Sequence, residues 1–127
     1  MELVGRSAID LAAAVRDGEV TAVEVVQAHL DQLAEVEHRV GAFVSTRRSS
    51  ALAEARALDE RDPDDRAALL LAGVPIAIKD SVDVAGEPTR HGTSLTPDTP
   101  AEADDEAVAR LRESGAIVIG KTRCPEL

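Results

Sequence analysis

The stretch Leu71–Asp80, LAGVPIAIKD, is an apolar run that ends in a lysine and an aspartate. Its core, Val74–Ile78, is short, follows a glycine and reads as a buried strand that delivers Lys79 at its end. Desolvating an amine costs free energy, so a strand that carries a lysine out of an apolar run needs a reason. One reason is chemical: burial disfavours the ammonium form, lowers the pKa and leaves a neutral amine able to accept a proton. The other is structural: the stem of a strand-end lysine packs while its head reaches water. The residues around Lys79 weigh between the two.

Downstream, Val82–Val84 reads as a second short strand before the turn Ala85–Pro88. Thr89–Pro100 has no periodicity and forms a loop. Asp104–Ser114 is an amphipathic helix with Val108 and Leu111 inward, ended by Gly115, and Ala116–Ile119 is another apolar strand. Strand, loop, helix and apolar strand in that order predict a crossover unit whose strands are covered on both faces. Upstream, the chain reads as helices. Ser7 and Asp10 have capping-box spacing ahead of Leu11–Val15, and Gly18 stops that helix. Thr21 and Glu24 repeat the box before a helix that runs to about Glu37, with Val23, Val26, Leu30 and Leu33 at helical spacing. Gly41–Ser45 reads as a strand or a packed turn, and Arg48–Glu60 as a third helix with Ala51, Leu52, Ala55 and Leu58 apolar. The polar segment Arg61–Asp65 is the best internal linker candidate.

Composition narrows the function classes. The chain has 127 residues, a formal charge of −10, and Phe43 as its only aromatic residue. Aromatic side chains carry much of the buried area in most cores, so a chain with one is expected to be part of a larger core. The acidic balance opposes binding to nucleic acid. The single cysteine, Cys124, rules out an internal disulfide and fits a reducing compartment. The N-terminus MELVGRSAID lacks the form of a signal peptide, and no apolar stretch approaches the roughly 20 residues that span a bilayer. The expectation is a cytoplasmic chain with no membrane and no nucleic-acid partner.

Gly115–Thr122 matches the phosphate-loop pattern G-x-x-x-x-G-K-T. That motif needs a strand before the first glycine and a helix starting at the lysine. Here the middle residues AIVI are strand-like, a helix precedes Gly115, and Pro125 stands where a helix should run. The match is read as coincidence.

Taken in order, Gly73-x-Pro75-x-x-x-Lys79-Asp80, the loop with Gly92-Thr93-Ser94, the helix with Ala107, Val108 and Leu111, and Gly115–Thr122 closely resemble the amidase signature family. The opening Thr21-Ala-Val-Glu24-Val-Val ahead of Phe43 is also similar to that family. The implied fold is α/β: N-terminal helices followed by strands of a mixed sheet covered by helices, the first part of the amidase signature fold. Residues 1–127 are then the N-terminal part of a single truncated domain, helical over 1–62 and strand/loop/helix/strand over 70–120.

The resemblance implies a Ser-Ser-Lys relay in which the lysine is Lys79. The two serines fall in a later Gly/Ser-rich segment absent from this sequence. A neutral Lys79 would take a proton from a bridging serine, which takes one from the nucleophile, so that a weak hydroxyl attacks an amide carbonyl. Backbone N–H groups of that segment would hold the oxyanion. For this to run near neutral pH, Lys79 must be desolvated or near positive dipoles. Asp80, Thr93 and Ser94 are the cleft-proximal candidates, with a turn-capping role for Asp80 equally open. Ser81 and Ser94 are not the nucleophile in the family pattern, and local backbone bonding explains them. His91 reads as a loop histidine and Cys124 as a small packed residue. Arg123 and Cys124 depart from the family's usual Asn and apolar residue. No cofactor or metal is implied. Expected partners are a small-molecule amide in the full-length parent, with a homo-oligomer or amidotransferase partner subunits as further options. The isolated chain is expected to be inactive. The alternative is a non-catalytic interaction module or a remnant of an amidase or amidotransferase A-type subunit.

Overall fold

A computed structural model describes residues 2–127. The chain opens with helix α1, Ala8–Arg16, whose first turn is capped by the Ser7 hydroxyl accepting from the Asp10 amide. Helix α2, Ala22–Val40, carries the full capping box at Thr21 and Glu24 and ends at Gly41 in a left-handed cap. Its last turns run past Glu37 because no breaker intervenes before that glycine. Strand β1, Phe43–Thr46, and helix α3, Arg48–Asp59, follow as the pattern predicts.

Two expected irregular or extended pieces differ. The linker candidate contains a one-turn helix α4, Pro63–Ala67, begun by Pro63, whose fixed φ suits a first helical position. Arg66 ties it back by donating to the Asp59 and Arg61 carbonyls at 2.7 and 3.3 Å. Val82–Val84 is not a strand: Val82 N–H donates to the Lys79 carbonyl, closing a turn, and Val84 is buried as a side chain without a ladder partner. Extended pairing in this region is confined to isolated bridges of Ala85 with Ala101 and Pro88 with Pro100.

Strand β2, Pro75–Lys79, helix α5, Glu106–Glu113, and strand β3, Ile117–Thr122, form the expected crossover unit. The three strands lie in the order β1-β3-β2, with β3 antiparallel to β1 and parallel to β2. Gly120, Lys121 and Thr122 continue the strand, so the phosphate-loop pattern has neither its loop nor its helix. The apolar residues divide by face. Ile117 and Ile119 join α1, α2 and α3 in the larger cluster, with Val15, Val25, Val26, Leu30 and Ala55. Val118 and Ile78 join Val84 and Val108 of α5 on the other side. The sheet is thus covered on both faces, as expected for strands with little polar alternation.

Gly120 is dictated by packing. A Cβ there would lie 2.5 Å from the Ser45 carbonyl oxygen and 2.7 Å from the Phe43 ring. The one aromatic residue of the chain therefore packs directly over a backbone stripped of its side chain. No helix is long and apolar enough to cross a membrane among the described residues.

Candidate active site

Strand β2 begins with Pro75, which lacks a ladder donor and suits the first residue of an edge strand. Alternation then turns Ile76 and Ile78 toward the α5 side, while Ala77 and Lys79 fall on the other face and are exposed. Lys79 sits at the carboxyl end of a parallel strand, the end outside which ligands gather in α/β sheets. Among the described residues its ammonium has no hydrogen-bond or ion-pair partner. The burial expected for it from the apolar run is therefore not supplied by residues 2–127.

The desolvated lysine is the other one. The chain has only two lysines, and Lys121 is 0 % exposed beside Asp80 at 1 %. The Lys121 ammonium lies 3.1 Å from Asp80 Oδ1, an ion pair whose angles do not make a hydrogen bond. It donates instead to the Pro88 carbonyl at 3.3 Å. Arg90 Nη1 stands 3.7 Å from Asp80 Oδ2, again as charge without a hydrogen bond. Asp80 is therefore compensated by two cations, as a buried carboxylate must be.

A slip in register puts Lys121 there. Ile76 faces Val118 but Ala77 faces Gly120, so Ile119 is an extra residue on β3. Beyond this bulge Lys121 faces Ile78, on the α5 side, and Thr122 faces Lys79. The two lysines of neighbouring strands consequently emerge on opposite faces of the sheet.

Asp80, Thr93 and Ser94 come together with Arg90, Arg123 and Cys124 around a cleft of about 350 Å³. Lys79 does not line it. Thr93 Oγ1 accepts from the Leu95 amide at 3.2 Å, a local turn bond of the kind expected for that residue type. The cleft loop is pinned from below: the His91 amide donates to the Asp80 carbonyl and the Leu127 amide to the His91 carbonyl. Gly92 takes φ +72° where a Cβ would meet the Pro125 oxygen at 2.5 Å, so only glycine lets the two segments approach. His91 itself has φ +55° and no acid–base partner among the described residues.

Lys121 is absent from the candidates read off the sequence, although it leaves an all-apolar strand just as Lys79 does. Arg47 is absent too; it is buried, donates to the Val118 carbonyl at 2.8 Å and pairs with Glu54 and Glu87. Arg112 continues that network to Glu54 and Asp104 at 2.6 and 3.0 Å. Partial burial acts to lower its pKa, but the hydrogen bonds and charges of Glu54 and Asp104 outweigh this and raise it.

Likeness to known proteins runs through the same residues. The family model described as Amidase matches residues 24–127. An indoleacetamide hydrolase of Bradyrhizobium diazoefficiens is 43 % identical over 120 residues, which cover 94 % of this chain and 23 % of the relative. The A-type subunit of the glutamyl-tRNA(Gln) amidotransferase of Salinispora tropica is 41 % identical over 125 residues, 98 % of this chain and 26 % of that protein. The native peptide amidase of Stenotrophomonas maltophilia superposes with a TM-score of 0.86 at 32 % identity, covering 97 % of this chain and 26 % of its own. The chain spans about a quarter of the length of the relatives it matches.

Proposed function

The chain belongs to the amidase family, and on that premise we propose that it carries the base, Lys79, of a Ser-Ser-Lys relay that hydrolyses carboxylic amides. The observation that carries this reading is the state of the Lys79 amine: exposed at the carboxyl end of a parallel strand and free of partners among the described residues. An amine in that state is open to a hydroxyl brought from outside residues 1–127, whereas Lys121 is already committed to Asp80 and Pro88. Covering segments would also supply the desolvation that favours the neutral amine.

The relay then runs in balanced steps. Lys79 accepts the proton of the bridging serine as that serine takes the proton of the nucleophilic serine, whose oxygen bonds to the amide carbon. Collapse of the oxyanion breaks the C–N bond, the proton returns through the relay to the leaving amine, and water releases the acyl group. A linear carboxylic amide is the substrate class, in keeping with the name of the indoleacetamide hydrolase among the relatives. The amidotransferase relatives favour a second reading, in which the amide is an ammonia source and partner subunits are required. A reducing cytoplasmic setting, a single domain over 1–127 and a cleft role for Asp80, Thr93 and Ser94 belong to the proposal.

Residues 1–127 alone are expected to release no ammonia from a simple amide above the buffer rate. The test of the base replaces the matching quarter of the Stenotrophomonas peptide amidase with residues 1–127. Lys79→Ala in that fusion is expected to lower the amidase rate by about 10²- to 10⁴-fold. A Lys79→Ala fusion as fast as its parent would overturn the assignment.

A further inference from the structure

We infer that Lys121, the lysine of the apparent phosphate-loop pattern, is a positioning residue: its buried ammonium clamps both ends of the loop that begins at Lys79. The inference rests on the reading of Lys79 as the base. The loop leaves β2 at Lys79 and Asp80 and returns past Pro88 to His91. Lys121 reaches both arms, with Asp80 Oδ1 at 3.1 Å and the Pro88 carbonyl at 3.3 Å. Around it the backbone closes on itself. The Asp80 amide donates to the Thr122 carbonyl at 2.9 Å, Val82 to Lys79 at 3.0 Å, and His91 to Asp80 at 2.9 Å.

Lys79 is the residue before Asp80 and points to the opposite face, so its backbone is fixed on one side while its amine stays free on the other. A filler could do this site's packing with an apolar side chain of the same length, since buried ion pairs are often replaceable without loss of stability. What an apolar filler cannot do is attract the Asp80 carboxylate while donating a bond to Pro88. Among the described residues no side chain donates a hydrogen bond to Asp80 to hold it otherwise, and Arg90 stays at 3.7 Å. Charge on Lys121 is therefore what orients the turn.

The test uses the whole chain and its two lysines. Amine-directed acylation of the native protein is expected to modify Lys79 while leaving Lys121 unmodified until urea is added. Amide exchange at Asp80, Val82 and His91 is expected to be at least about tenfold slower than at the exposed loop positions Ser94 and Leu95. The double variant Asp80→Asn/Lys121→Met removes both charges together, so that no buried charge is left alone. In it the unfolding midpoint is expected near that of the parent, yet the same amides exchange at least about tenfold faster. The cross-peak of isotopically methylated Lys79, one sharp signal in the parent, is expected to broaden or split. Parental protection at these amides together with an unchanged Lys79 signal would reduce Lys121 to filler and overturn the inference. Should the variant not fold, Lys121 acylating as fast as Lys79 in the native parent, or unprotected amides at Asp80, Val82 and His91, overturns it equally. Lys79→Ala leaves the clamp intact. Loss of the base assignment and loss of the clamp are thus read in separate experiments.

Discussion

Replacing Asp59 by alanine should destabilise the chain by more than any single change in the capping box of α2. Asp59 ends α3, yet its carboxylate accepts from the Ala22 amide at 2.7 Å and the Val23 amide at 3.0 Å. These are the first two orphan donors of α2. Thr21 Oγ1 takes the third, from the Glu24 amide at 3.0 Å. Hydrogen bonds to a charged group contribute about 1.5–3 kcal/mol each, and a half-buried site argues for the lower end, about 3 kcal/mol for the pair. A carboxylate at a helix N-terminus adds about 0.5 kcal/mol. Partial rehydration of the freed amides returns some of this, leaving about 2–4 kcal/mol for Asp59→Ala against about 1 kcal/mol for Thr21→Ala. Asp59→Asn keeps one acceptor and should lie between them. The chain has no Trp or Tyr, so the assay is urea unfolding followed by far-ultraviolet circular dichroism. The Asp59→Ala midpoint should fall by about 1–2 M urea. An Asp59→Ala cost no larger than that of Thr21→Ala would refute the reasoning, because the two bonded amides would then carry nothing.

Other outcomes follow from the same geometry. Lys79→Ala should change the unfolding free energy by less than about 0.5 kcal/mol, as for any exposed residue without partners; a cost above about 2 kcal/mol would mean the side chain is engaged in the fold. Gly120→Ala should cost about 1–3 kcal/mol or more, since backbone at Ser45 and the Phe43 ring must both retreat; a thermally unchanged variant would contradict the packing. Arg112 has its folded pKa raised by Glu54 and Asp104, so its contribution is whole below the ordinary arginine value and is lost only in strong alkali. The stability difference between parent and Arg112→Gln should therefore stay constant from about pH 6 to pH 9, a range in which neither carboxylate nor guanidinium ordinarily titrates; a slope there would point to another titrating group. Among the described residues the outer edge of β2 has no ladder partner, and sedimentation should detect self-association of the isolated chain that weakens when Ala77, exposed on that strand, is replaced by lysine.

The helices and the crossover were legible because their signals are local. Thr21 and Glu24 sit three residues apart and the capping box they announce is made, and Val74–Ile78 and Ala116–Ile119 are apolar runs of strand length. Non-local events left no such trace. Val82–Val84 has the β-branched content of a strand, but the Lys79–Val82 turn and burial of Val84 against Val108 won over ladder pairing. Asp59 caps a helix that begins 37 positions earlier in the chain, which no window of sequence reveals. At the candidate site the sequence singled out the lysine whose amine the fold leaves open. An amine leaving an apolar strand describes Lys121 equally, and there the desolvation is real. Which of two such lysines is buried depends on a register slip between strands, and alternation within one strand cannot express that.

That slip makes the sheet sensitive to chain length in a way that substitutions are not. Ile119 is the extra residue, so its deletion would only regularise the ladder, with Gly120 still opposite Ala77 and Lys121 still opposite Ile78. One residue inserted between Gly120 and Lys121 would instead carry Lys121 to the place opposite Lys79; Asp80 would keep only Arg90, and two amines would share one face. A single-codon insertion late in a strand would thus move a charge through the sheet without altering any residue that carries one.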